Sequence, residues 1–81
     1  MLTEAHGFKV GQTVAILEED DPLFGSVRPI VFINDYGCIL VARKKETLLR
    51  DGGRIVGVEG HVVDWRHLVD GAAYAARMLT K

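Results

Sequence analysis

Apolar and polar residues alternate with the two-residue period of a half-buried strand over "KVGQTVAIL". Val14 and Ile16 fall on one face there and Thr13 and Ala15 on the other, after a break at Gly11. "SVRPIVFI" predicts a second strand, and Pro29 places an edge or a bulge in it, because proline has no N–H to give to a ladder. "NDYG", residues 34–37, predicts a hairpin turn, since Asn34, Asp35 and Gly37 tolerate the backbone angles that a tight turn needs. "CILVAR" predicts a third strand, "RDGG" (50–53) a second turn, "RIVGVEG" a fourth strand and "HVVDW" a short fifth. The chain ends "DGAAYAARMLTK", which predicts a helix over 70–81. Asp70 can cap it, and Ala72, Ala75, Ala76 and Leu79 recur on one face. So short a helix needs tertiary packing to persist. Residues 1–8 show neither period and predict a flexible tail. With no repeat, low-complexity tract or linker, the 81 residues predict one domain: tail 1–8, barrel 9–69, helix 70–81.

The resulting fold class is mainly β: a small, strongly bent antiparallel barrel of four to five strands with a C-terminal α-helix. Ile30 and Phe32 fall on one face of the second strand and Val31 and Ile33 on the other, so both faces need a cover. The alanine-rich helix, whose small side chains allow close approach, is expected to supply part of it. The run "KVGQTVAIL", then "GSVRPIVFINDYGCILVAR", then "GHVVDWRHL" resembles the strand pattern of SH3-like barrels of the KOW and Tudor type, over residues 9 to 69. The resemblance implies that an aromatic and a leucine, Trp65 and Leu68, close the barrel and are structural. It implies little about a ligand, because the aromatics that could form a binding cluster (Phe8, Phe24, Tyr36, Trp65 and Tyr74) are scattered along the chain.

Composition adds a constraint. Hydrophobic residues make up 48% of the chain before its nine glycines are counted, whereas about 45–50% is typical with glycine included. A domain this small buries only about 60–65% of its unfolded surface. Part of the excess is therefore expected at an interface, most simply a homodimer. Cys38 is the only cysteine, which fits a reducing compartment and predicts a cytoplasmic protein. No apolar run approaches the ~18–20 residues that span a bilayer, and "MLTEAHGFKV" lacks the basic start and apolar stretch of a signal peptide. No membrane association is expected.

The net charge of −1 conceals a division. Residues 1–26 carry one lysine against five acids, whereas residues 27–54 carry six cations against three acids. The acidic part centres on "LEEDDPLFG", residues 17–25. In peptide-binding SH3 domains the corresponding loop is acidic and meets cations on the ligand. The resemblance therefore implies a charged rim of Glu18, Glu19, Asp20 and Asp21, with Leu23 and Phe24 as either an apolar foot or a contact patch. An acidic loop with an aromatic repels polyanions and suits a protein partner with a basic surface. The function expected on these grounds is a non-catalytic protein-binding module, an adaptor or inhibitor. One alternative is a nucleic-acid-associated module using Arg28, Arg43, Lys44, Lys45, Arg50 and Arg54. Its weakness is a net charge that gives a polyanion no general attraction. A structural subunit of a larger assembly is the other.

Motifs for chemistry are sparse. His61, Asp64 and His67 recur every third residue with Cys38 elsewhere, but a strand points positions 61 and 64 to opposite faces, and zinc sites use denser Cys/His spacing. Cys38, His61 and Asp64 could be written as nucleophile, base and orienter. Cys38, however, opens an apolar strand, where a small buried hydrophobe is the usual role. "RDGGRIVG" could cradle a phosphate, but its glycines separate two strand-like runs instead of opening a helix. No catalytic residue, metal or cofactor is expected.

Overall fold

The computed structural model describes residues 2–43, 49–51, 54–56 and 59–79. The N-terminal residues, expected as a tail, carry a hairpin of β1 (Glu4–Ala5) and β2 (Phe8–Lys9). His6 and Gly7 connect the strands with φ of 54° and 82°, the positive pair of a type I′ turn, whose twist matches that of the strands. A second turn follows at 9–12, where the Gln12 N–H donates to the Lys9 carbonyl at 3.1 Å. Gly11 has φ 92°, and its N–H donates to the Ile30 carbonyl at 2.8 Å while the Ile30 N–H donates to Gln12, also at 2.8 Å. This is a glycine bulge, two residues facing one, and it launches the main sheet.

That sheet has five antiparallel strands: β3 (Thr13–Ile16), β4 (Val27–Ile33), β5 (Ile39–Ala42), β8 (Gly60–Val63) and β9 (Leu68–Asp70). They lie in the order β8-β5-β4-β3-β9. A single 3₁₀ turn, Trp65–His67, joins β8 to β9. The sheet is open, because among the described residues β8 and β9 form its two edges and are not paired with each other. The expected closed barrel is therefore not formed by the strand ladders. Separately, β6 (Leu49–Asp51) pairs antiparallel with β7 (Arg54–Val56), with Asp51 opposite Arg54; Gly52 and Gly53 of the second predicted turn lie outside the described residues. "RIVGVEG" thus does not supply the fourth strand of the main sheet; β8 does, and β9, unmarked in the sequence reading, is the fifth.

Strand β4 is long because its two halves have different partners. Val27–Pro29 pairs with β3, and Ile30, Phe32 and Ile33 pair with β5. Pro29 thus sits beyond the start of the β5 ladder, where its missing N–H breaks no pairing. Between Ile30↔Val41 and Phe32↔Leu40 the register shifts, so β4 advances two residues while β5 advances one. The extra residue, Val31, inverts the expected facing: Ile30 and Ile33 join one core, and Phe32 is left outside. The core is Val14, Ile16, Ile30, Ile33, Ile39, Val41, Val63 and Leu68, with Ala5, Phe8, Val10 and Leu23 packed against it. Val14, Ile16 and Leu68 are buried as expected.

The turn at 34–37 forms as predicted. Asn34 Oδ1 accepts from the N–H groups of Tyr36 and Cys38, each at 2.9 Å, and Gly37 takes φ 83°. Helix α1 (Gly71–Leu79) starts where Asp70 Oδ2 accepts from the Ala73 N–H at 3.1 Å. It packs against β3 and β9, with Gly71 buried and every residue from Ala75 to Leu79 exposed. It therefore does not provide the outer cover that was expected of it. Phe32, Leu40 and Val62 are cross-strand neighbours on the far half of the sheet, and Phe32 and Val62 remain 38% and 62% exposed. No helix is long and apolar enough to cross a membrane among the described residues.

Candidate functional site: the acidic loop and the Trp65 turn

The loop between β3 and β4 is fastened at both ends. The Leu17 N–H donates to the His67 carbonyl at 2.9 Å, and the Gly25 N–H donates to Ile16 at 2.8 Å. Inside it two turns follow one another: the Asp21 N–H donates to the Glu18 carbonyl at 3.1 Å, and the Phe24 N–H to the Asp21 carbonyl at 2.9 Å. Asp21 Oδ1 also accepts from the Leu23 N–H at 2.8 Å, the self-bonding through which aspartate favours turns.

Asp21 was expected on the rim and is instead an anchor. Its side chain is only 6% exposed, and both carboxylate oxygens lie 3.0 Å from Nε2 of His61 on β8, itself 20% exposed. Desolvation pushes the Asp21 carboxyl up, but the Leu23 N–H, the bond from His61 and the charge of His61 outweigh it and hold the pKa below the ordinary value. The other three acids behave differently: Glu19 and Asp20 are exposed and Glu18 is half-buried. Leu23 packs against the core as a foot, whereas Phe24 is 53% exposed. The foot is thus Leu23 alone, and Phe24 is no part of it.

Beside the loop lies the 3₁₀ turn. Asp64 caps it by accepting from the Arg66 N–H at 2.9 Å and grips the Arg66 guanidinium through Nε at 3.1 Å and Nη2 at 2.9 Å. Those bonds lower the Asp64 pKa to about 2. In turn, Asp64 first and Glu18 more weakly raise that of Arg66, and the Leu17–His67 bond sets the start of the loop beside this turn. Trp65 was expected as a buried closing residue. It is 41% exposed and stacks on His6, with ring centroids 4.4 Å apart and planes within 4°. Neither the Asp21–His61 nor the His6–Trp65 contact had a local signal, since each joins residues far apart in the chain.

Of the basic candidates, Arg28 and Arg43 adjoin. Arg28 donates from Nη1 to the Arg43 carbonyl at 2.9 Å and from Nε to Ser26 Oγ at 3.3 Å. Arg43 pairs with Glu59 at 3.7 Å on the surface. Lys44 and Lys45 lie outside the described residues, and Arg50 and Arg54 sit on the separate β6–β7 pair. Cys38 is exposed instead of buried. His61 bonds Asp21 while Asp64 bonds Arg66, so Cys38, His61 and Asp64 form no triad. No group of three His, Cys, Asp or Glu able to hold a metal occurs among the described residues. No family model, curated protein or solved structure matches the chain.

Proposed function

We propose that this chain is a non-catalytic protein-binding module, an adaptor or inhibitor, whose working surface is the β3–β4 loop and which meets a basic partner. The observation that carries this reading is the division of labour inside the loop. Asp21 and Leu23 hold it to the sheet, and that fastening leaves Glu19, Asp20 and Phe24 exposed on a fixed frame. A charged, aromatic surface held in place loses little conformational entropy on binding. Acids at its rim speed encounter with a basic surface and reject polyanions. The strand order, with β4 shared between two three-stranded halves and a 3₁₀ turn before the last strand, supports an SH3-like reading of the fold.

The test is charge reversal that spares the anchor. Glu19 and Asp20 changed together to lysine, with half-buried Glu18 changed to glutamine, should leave the fold intact, because exposed charges contribute little to stability, and should abolish capture of the basic partner. Reversing Arg28 and Arg43 should change partner binding far less. If instead the basic reversal removes binding and affinity falls by about 0.9 log units per log unit of salt for each phosphate contacted, the partner is a nucleic acid and the reading fails.

Self-association is a second element of the proposal. The row Phe32–Leu40–Val62 crosses three strands by register, with Phe32 and Val62 exposed and Leu40 half-buried between them, and exposed apolar patches mark contact sites. A homodimer would cover it.

A further inference from the structure

Trp65 takes its most specific contact from a residue that the core does not require. His6 stands at the tip of the N-terminal hairpin, exposed, with φ 54°, a left-handed conformation that non-glycine residues seldom adopt. Its ring nevertheless lies flat over the indole at 4.4 Å. The socket is closed from another side by Gly37, where an added Cβ would come within 3.1 Å of His6 Nε2. Trp65 is outside the core cluster, so this stack covers a surface aromatic and not a core one. The start of the acidic loop adjoins the same 3₁₀ turn: the Leu17 N–H, one residue before Glu18, donates to the His67 carbonyl at 2.9 Å, two residues after Trp65.

We propose that His6 is an internal stand-in for the partner, an autoinhibitory contact in which its imidazole occupies the indole face where a partner's arginine would stack. This rests on the reading of the loop as the partner surface. Guanidinium and imidazole are both planar and both stack on indole at this spacing, and a guanidinium adds a full positive charge beside the loop's acids. Binding then exchanges one flat group for another, and the hairpin sets the threshold.

The chain holds a single tryptophan, so its intrinsic fluorescence reports this face alone. Two variants separate cover from fold. His6→Asn removes the ring yet creates Asn-Gly, the pair that a type I′ turn prefers, so the hairpin is kept. His6→Phe keeps a flat ring. Acrylamide quenching of Trp65 should rise in H6N and not in H6F. A hexa-arginine peptide should bind H6N about 2- to 5-fold more tightly than the parent, the range expected for releasing one exposed stacked contact, with H6F close to the parent. Unchanged quenching in H6N would show that His6 covers nothing, and increased quenching with unchanged hexa-arginine affinity would show that the cover does not inhibit; either overturns the proposal. If hexa-arginine binding proves independent of Glu18, Glu19 and Asp20, the reading of the loop fails and the inhibitory role with it. The quenching difference then measures a cover alone, so the two failures are told apart.

Discussion

Replacing Asp21 with alanine should cost far more than replacing either neighbouring acid, although the sequence presents them as one run. Three losses combine. The Leu23 N–H gives up a 2.8 Å bond from inside a turn, worth about 0.5–1.5 kcal/mol net. His61, 20% exposed, loses a carboxylate that met it with both oxygens. A half-screened pair of this kind sits between the near-zero value of a surface bridge and the several kcal/mol of a buried one, so about 1–2 kcal/mol is reasonable. The strain of re-seating Leu23 on the core adds a few tenths. The sum is about 2–4 kcal/mol, a large share of what a domain of this size possesses, and a fall in Tm on the order of 10–30 °C. Asp21→Asn should fall between, since its carbonyl can still accept from Leu23 while the charge is gone. Glu19→Ala and Asp20→Ala should stay within about 0.5 kcal/mol of the parent. Thermal and urea unfolding followed by far-UV circular dichroism would measure all four. If Asp21→Ala melts within about 3 °C of the parent, the His61 contact does not hold the loop and the separation of anchor from rim is wrong.

Leu68→Ala should destabilise by about 2–5 kcal/mol, because it opens a cavity in the core, whereas Trp65→Ala should cost only about 1–2 kcal/mol for a half-exposed stacked ring; equal losses in urea denaturation would contradict the placement of Trp65. Asp21, Asp64 and Asp70 all have carboxyls held below the ordinary value in the folded state. Their contribution is therefore complete above about pH 4 and is lost as pH falls through the folded values, down to about 2 for Asp64; a Tm flat from pH 5 to pH 2 would refute it. Light scattering at micromolar concentration should detect a dimer that Val62→Lys dissociates, and a parent protein that stays monomeric across a wide concentration range would remove the self-association element.

The features legible in the sequence are those fixed within a few residues. The turn at 34–37 was readable because Asn34 bonds its own loop and Gly37 supplies the positive φ. The start of α1 was readable from Asp70, whereas the alternation in β3 was readable only in part, because Ala15, opposite in facing to Val14 and Ile16, is buried as well. The facing of β4 was not readable, because one extra residue at Val31 reverses the parity of everything beyond it, and the register with β5 that imposes the bulge is a long-range property. The N-terminal hairpin was missed for a different reason. His-Gly is a weaker turn signal than Asn-Gly, and each of its strands is two residues long. β9, three residues after a 3₁₀ turn, is likewise too short to show a period of its own.

The acidic run shows why adjacency in sequence is a poor guide to a shared role. Glu18 to Asp21 are nearly alike chemically, and their mutual repulsion in water is modest, so nothing local distinguishes them. What does so is position within the two turns. Asp21 is the residue at which the first turn ends and the second begins, and a short side chain there can reach back to the N–H two residues on, which a glutamate's longer one does less well. The same geometry faces its outer oxygens toward β8, where His61 stands opposite Val41 in the register. Shifting the acidic run by one residue would keep composition and charge and lose the anchor. On the proposed reading, stability and partner choice are separable within four consecutive residues: Asp21 ties the loop to β8, and the combined change of Glu18, Glu19 and Asp20 tests the second.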